Sequence, residues 1–120
     1  MSTNATAKKN TSFRLNNNLS PDVIKVFPLS NYALAVEFED GLHGIIEMKK
    51  CITSCNPGVF AKLQDINLFN SVEVYSGVIS WLDKNRIETI GHSKFPHIYA
   101  DLASDTIYNE IKDNGVWEVN

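Results

Sequence analysis

Residues Val36 to Met48, VEFEDGLHGIIEM, bring Glu37, Glu39, Asp40, His43 and Glu47 into one short stretch. Carboxylates around an imidazole are the raw material of acid–base catalysis, because a carboxylate orients the ring that moves the proton. Two further groupings could do chemistry. Cys51 and Cys55 stand in a C-x3-C spacing. That is not the C-x2-C of a zinc ribbon, and no second cysteine pair completes a four-ligand site. Two free thiols in a reducing compartment are the expected state, with a redox pair as the alternative. His92 and His97 are followed closely by Tyr99 and Asp101, but H-x4-H lacks the i,i+4 spacing that sets two ligands on one helix face. No metal and no cofactor is expected.

Whether the first stretch is a site depends on the element that carries it. Tyr32, Leu34, Val36 and Phe38 alternate with Ala33, Ala35, Glu37 and Glu39, the period of a half-buried strand. A two-residue Asp40-Gly41 loop would set Phe38 against His43 and Leu34 against Glu47, sending polar groups to the core. A three-residue Glu39-Asp40-Gly41 loop, with Gly41 at positive φ, instead pairs Phe38 with Leu42, Val36 with Gly44, Leu34 with Ile46 and Tyr32 with Met48. A slip of one residue inverts the faces, so burial selects the second register. His43 then faces Glu37 on the outer surface, a cross-strand polar pair worth about 0.2–1 kcal/mol. No hydroxyl or thiol nucleophile shares these strands, so the pair is expected to be structural.

The remaining elements follow from similar patterns. PDVIKVFP, bounded by prolines, reads as a strand that completes a three-stranded meander at about 22–27, 32–39 and 42–48. One helical turn is expected at about 49–53. Asn56-Pro57-Gly58 is a turn, and Val59, Phe60 and Leu63 then give a short helix at about 58–65. A Ser76-Gly77 loop makes a second hairpin with Val74 opposite Ile79 and Val72 opposite Trp81. After Trp81, residues 86–90 alternate behind a Lys84-Asn85 turn and 91–96 read as a loop. Ser104 looks like an N-cap for a helix at about 104–113, with an Ile107, Tyr108 and Ile111 stripe and Gly115 as its stop. Residues 116–119 suit a terminal strand or a docked extension. The fold class is α+β: a small antiparallel sheet, made of a meander, a short helix and a second hairpin, covered by the C-terminal helix.

Composition sets outer limits. At 120 residues, with 43% hydrophobic and 21% charged residues, the chain has the size and balance of one globular domain. Residues 1–20 are rich in Asn, Thr and Ser and read as a disordered polar tail before a single domain at 21–120. No apolar run reaches the roughly 20 residues of a membrane span, and the N-terminus lacks a secretory h-region, so a cytoplasmic location is expected. The net charge is −3, but Lys8, Lys9 and Arg14 sit in the tail, leaving 8 bases against 14 acids in the body. Such a body repels phosphate backbones, so direct nucleic-acid binding is not expected.

The order of pieces resembles the bacterial family catalogued as domain of unknown function 2442. The similarity lies in DVIKVFPLSNYALAVEFEDG, GIIEM, VFAKLQD followed by NLFNSVEV, SGVISW and DLASDTIY, covering about residues 22–81 and 101–108. The resemblance implies a small α+β fold of antiparallel strands and no established activity. It also implies a neighbourhood of small partner genes resembling toxin–antitoxin pairs, and in some relatives a following helix-turn-helix domain. This chain departs from the family at 82–100, where LDKNRIETIGHSKFPHIYA is inserted.

The function expected is therefore that of a small non-catalytic binding or regulatory module, with a protein partner or a second copy as its ligand. The inserted segment is either a structural extension, one extra strand plus a covering loop, or the recognition surface, with His92, Phe95, His97 and Tyr99 as its candidate residues. The alternative is a small enzyme that gathers His92, His97 and Tyr99 near Trp81.

Overall fold

The computed structural model describes residues 20–54 and 56–119. The polar tail and the Cys55 half of the thiol pair lie outside the described residues. The chain opens as an antiparallel meander of β1 (Val23–Leu29), β2 (Ala33–Phe38) and β3 (His43–Glu47). Leu34 pairs with Ile46, Val36 with Gly44 and Glu37 with His43. The Phe38 N–H donates to the Leu42 carbonyl at 2.7 Å, and Gly41 closes the three-residue loop at φ 93°. Leu34, Phe38 and Ile46 are fully buried, as a register chosen by burial requires. At the β1–β2 turn both Asn31 and Tyr32 take positive φ, which is costly for a tyrosine. The Tyr32 ring meets Phe69 edge-on at 5.2 Å and its hydroxyl donates to the Gln64 carbonyl at 2.6 Å, contacts that hold it there.

Three short helical pieces follow: α1 (Lys49–Ile52), a 3₁₀ helix (Gly58–Gln64) and α2 (Ile66–Phe69). The 3₁₀ form of the expected second helix suits its sequence. A three-residue turn places Phe60 and Leu63 on one side, so Leu63 is buried and Phe60 packs on the core while Val59 is exposed. No pattern announced α2; the Asp65 carboxylate starts it by accepting from the Asn67 N–H at 3.0 Å.

Next come β4 (Glu73–Tyr75), β5 (Val78–Ile90) and β6 (Ser93–Asp101). The Ser76-Gly77 turn and the Val74–Ile79 pair are as expected. The expected Lys84-Asn85 turn and 91–96 loop are not. β5 runs unbroken for 13 residues, the chain reverses at Gly91-His92, and β6 returns through Pro96. Lys84, Asn85 and Arg86 form a bulge between the Asp83–His97 and Ile87–Pro96 pairs. The Asn85 N–H donates to its neighbour's carboxylate, Asp83 Oδ1, at 3.0 Å. That local Asx bond satisfies the turn-forming residues without reversing the strand.

The last elements are α3 (Ser104–Asn114) and β7 (Val116–Glu118). Ala103, not Ser104, is the N-cap; the Ser104 hydroxyl lies 3.4 Å from the Gly77 carbonyl instead. Gly115 ends the helix at φ 79°. β7 is a strand, but it pairs parallel with β3, Ile46 beside Trp117, against the all-antiparallel expectation.

The strands form two sheets rather than one, ordered β1-β2-β3-β7 and β4-β5-β6. They meet where the Val23 N–H donates to the Gly77 carbonyl at 3.1 Å. One core lies between them and the helices, with Trp81, Phe38 and Phe69 as its largest fully buried side chains. The Trp81 indole N–H, its one polar group, donates to the Phe69 carbonyl at 2.9 Å, so the ring is buried without an orphan donor. α3 adds Ile107 and Ile111 to this core. Gly44 lets it approach, since a Cβ there would stand 2.6 Å from Ile111 Cγ2 and from the Gly115 carbonyl. Among the described residues no helix is long and apolar enough to cross a membrane.

Candidate recognition arm

The acid–histidine stretch does not assemble a dyad. His43 and Glu37 are cross-strand neighbours, but the Glu37 carboxylate lies 3.9 Å from Lys25 Nζ. The His43 ring nitrogen Nδ1 lies 3.3 Å from the Gly41 carbonyl. Asp40 has a different task. One carboxylate oxygen accepts from the Leu42 N–H at 3.0 Å and the other from the Tyr108 hydroxyl at 2.6 Å, so it ties the hairpin tip to α3. Burial, then the bond to Asp40, pushes the Tyr108 phenol up to about 12. The first thiol, Cys51, is buried, and burial raises its pKa, which favours the unreactive thiol over the thiolate.

Residues 82–100 make up most of the β5–β6 hairpin. Of its candidate residues, His97 and Tyr99 come together, their rings edge-to-face at 5.5 Å. Alternation puts Phe95 on the same side of β6 as His97. His92 sits apart, exposed in the turn. Four residues that carry this cluster were missed. Glu88, opposite Phe95 in register, places Oε2 at 2.8 Å from His97 Nδ1. Asp83 accepts the Tyr99 hydroxyl at 3.1 Å. Lys62, from the 3₁₀ helix, holds Nζ at 5.7 Å from the Tyr99 ring centre, within cation–π range. Lys84 meets Glu73 at 3.1 Å. Glu88 could have been found by pairing 86–90 against 93–97 in period 2, but Lys62 could not, because only the tertiary fold brings the 3₁₀ helix to β6.

A groove of about 390 Å³ opens at the root of this arm, with Leu68, Leu82 and Tyr99 beside Asp83 and Lys84. Its chemistry is that of a contact surface. The bond to Asp83, followed by burial, raises the Tyr99 phenol, although the Arg86 charge opposes the shift. A raised phenol stays protonated and is a poor base. His97 is steered by Glu88, yet among the described residues its only hydrogen-bond partner is that carboxylate, so no nucleophile is lined up for it. No group of three His, Cys, Asp or Glu side chains among the described residues could hold a metal ion.

Among the described residues the two strands beyond Asp83 pair only with each other, because β4 pairs with β5 only at Val78–Ser80 and β6 is the edge of its sheet. Ile87 and Ile90 are 58% and 71% exposed there. Pro96, which lacks an N–H, removes a donor from the β6 ladder and blunts strand addition. The arm therefore offers a face and a tip rather than an edge. No family model, no curated protein and no solved structure matches this chain.

Proposed function

We propose that this chain is a non-catalytic protein-binding module whose recognition element is the outer β5–β6 arm. The observation that carries the reading is the exposure of Ile87 and Ile90 on a ribbon that no other described element covers. A two-stranded ribbon is marginal in water by itself, and exposed apolar side chains on a projecting element are typical anchors for a partner. Phe95, His97 and Tyr99 extend the Ile90 face toward the body, Ile87 stands on the opposite face, and His92 marks the tip. The resemblance to the domain of unknown function 2442 family supports this reading, since the pieces that carry it lie in the body and residues 82–100 are where this chain departs from them. The partner is then a protein, such as the product of an adjacent gene in a toxin–antitoxin-like pair, or a second copy. The acidic body disfavours nucleic acid. The test is affinity capture from the native host with wild type and with the Ile87→Ser/Ile90→Ser variant. A stoichiometric partner held by the wild type and lost from the folded variant supports the proposal. Equal capture by both proteins refutes the arm as the site.

A further inference from the structure

The arm and the rest of the body carry opposite charge. From Lys84 to Lys94 there are three bases, Lys84, Arg86 and Lys94, against Glu88 alone. Outside that stretch the described residues hold Lys25, Lys49, Lys50, Lys62 and Lys112 against thirteen carboxylates. Lys84 is already matched by Glu73, so Arg86 and Lys94 carry the arm's outward charge beside exposed Ile87 and Ile90. A groove on the body, about 500 Å³, has the complementary character. Val78, Leu102 and Ala103 give it apolar walls, and Asp22, Asp101 and Asp105 stand around it with no base among the described residues that line it.

The arm cannot reach this groove in its own chain. Val78 and Asp101, which line it, are the first residue of β5 and the last of β6. At about 3.3 Å per residue the tip projects roughly 35 Å away from it. Two copies related by a twofold axis remove the difficulty. With their arms side by side and antiparallel, each tip lies at the other's root, and the same contact is made twice in a closed assembly. Apolar Ile90 would meet the apolar walls while Arg86 and Lys94 face carboxylates of the opposite chain, a complementarity that also fixes orientation.

We infer that the partner of the arm is a second copy of this chain, with each arm tip docked in the acidic groove at the root of the other's hairpin. The inference rests on the arm being a recognition element, as proposed above, and names its ligand. The test is sedimentation of the purified full chain over a wide concentration range. Wild type should form a dimer that weakens as salt is raised. Ile90→Asp should weaken it about 30-fold or more. The sharper arm is a charge swap at four exposed positions. Arg86→Glu/Lys94→Glu and Asp101→Lys/Asp105→Lys should each be monomeric alone, and an equal mixture should recover the dimer, since both contacts are then again between opposite charges. Three results overturn the inference: a wild type monomeric throughout, a dimer untouched by Ile90→Asp, or swapped variants that fold but do not complement. A monomeric wild type that still captures a different host protein through Ile87 and Ile90 would refute self-recognition alone. Loss of both dimer and arm-dependent capture would refute the binding module itself.

Discussion

The β2–β3 hairpin and the outer β5–β6 arm are built from the same parts, two antiparallel strands closed by a tight glycine-containing turn. They differ in what their faces touch. The first buries Leu34, Val36, Phe38 and Ile46 and has its tip tied to α3 through Asp40 and Tyr108. The second leaves Ile87 and Ile90 in water and holds its root with Glu88–His97 and Asp83–Tyr99 pairs. Burial energy scales with apolar area removed from water. The first hairpin is therefore part of what folds the chain, and the second is free to be part of what the chain contacts.

The comparison breaks most easily at Phe38. Phe38→Ala should cost about 3–5 kcal/mol, read from the urea midpoint; a loss near zero would mean that the first hairpin is no more essential than the arm. Gly44→Ala should cost about 1–3 kcal/mol, because the new methyl has the Gly115 carbonyl and Ile111 within 2.6 Å and the packed helix must move. A neutral substitution there would show α3 to be loosely seated. Tyr108→Phe should cost about 0.5–1.5 kcal/mol. Its phenol is raised to about 12 in the folded chain against about 10 when unfolded. The stabilisation is thus fully present below pH 10 and is lost as pH rises through 12. Unfolding measured across that window should fall more steeply for wild type than for Tyr108→Phe. At the small end, Ile87→Ser/Ile90→Ser should change stability by no more than about 0.5 kcal/mol, which places the two isoleucines outside the folding core.

The same contrast explains what could be read from the residues. Leu34, Phe38 and Ile46 fixed the first register because only one pairing hides them, and the Val74–Ile79 hairpin followed for the same reason. In the arm neither register buries much, so the Arg86–Ile90 alternation carried no penalty for misreading and the Lys84–Arg86 bulge passed for a turn. The parallel seat of β7 was hidden too. Three residues alternate too briefly to name a partner, and α3 decides where they land. Ser104 was a sound cap by type, but the chain enters the helix one residue earlier and its hydroxyl turns to Gly77. In the candidate surface, Phe95, His97 and Tyr99 belonged to one strand and were legible together. Glu88, Asp83 and Lys62 reach them only through pairing and tertiary contact.

Amide hydrogen exchange of the dilute chain at high salt, residue by residue, tests most directly whether the two hairpins belong to different layers of stability. The β2–β3 amides of Val36 and Phe38 should exchange only through global unfolding. Amides beyond Asp83 in β5 and β6 should exchange through local opening, on the order of 100-fold faster or more. Protection of the arm equal to that of β2–β3 would contradict the division, because the exposed isoleucines would then sit on an element that folds with the core.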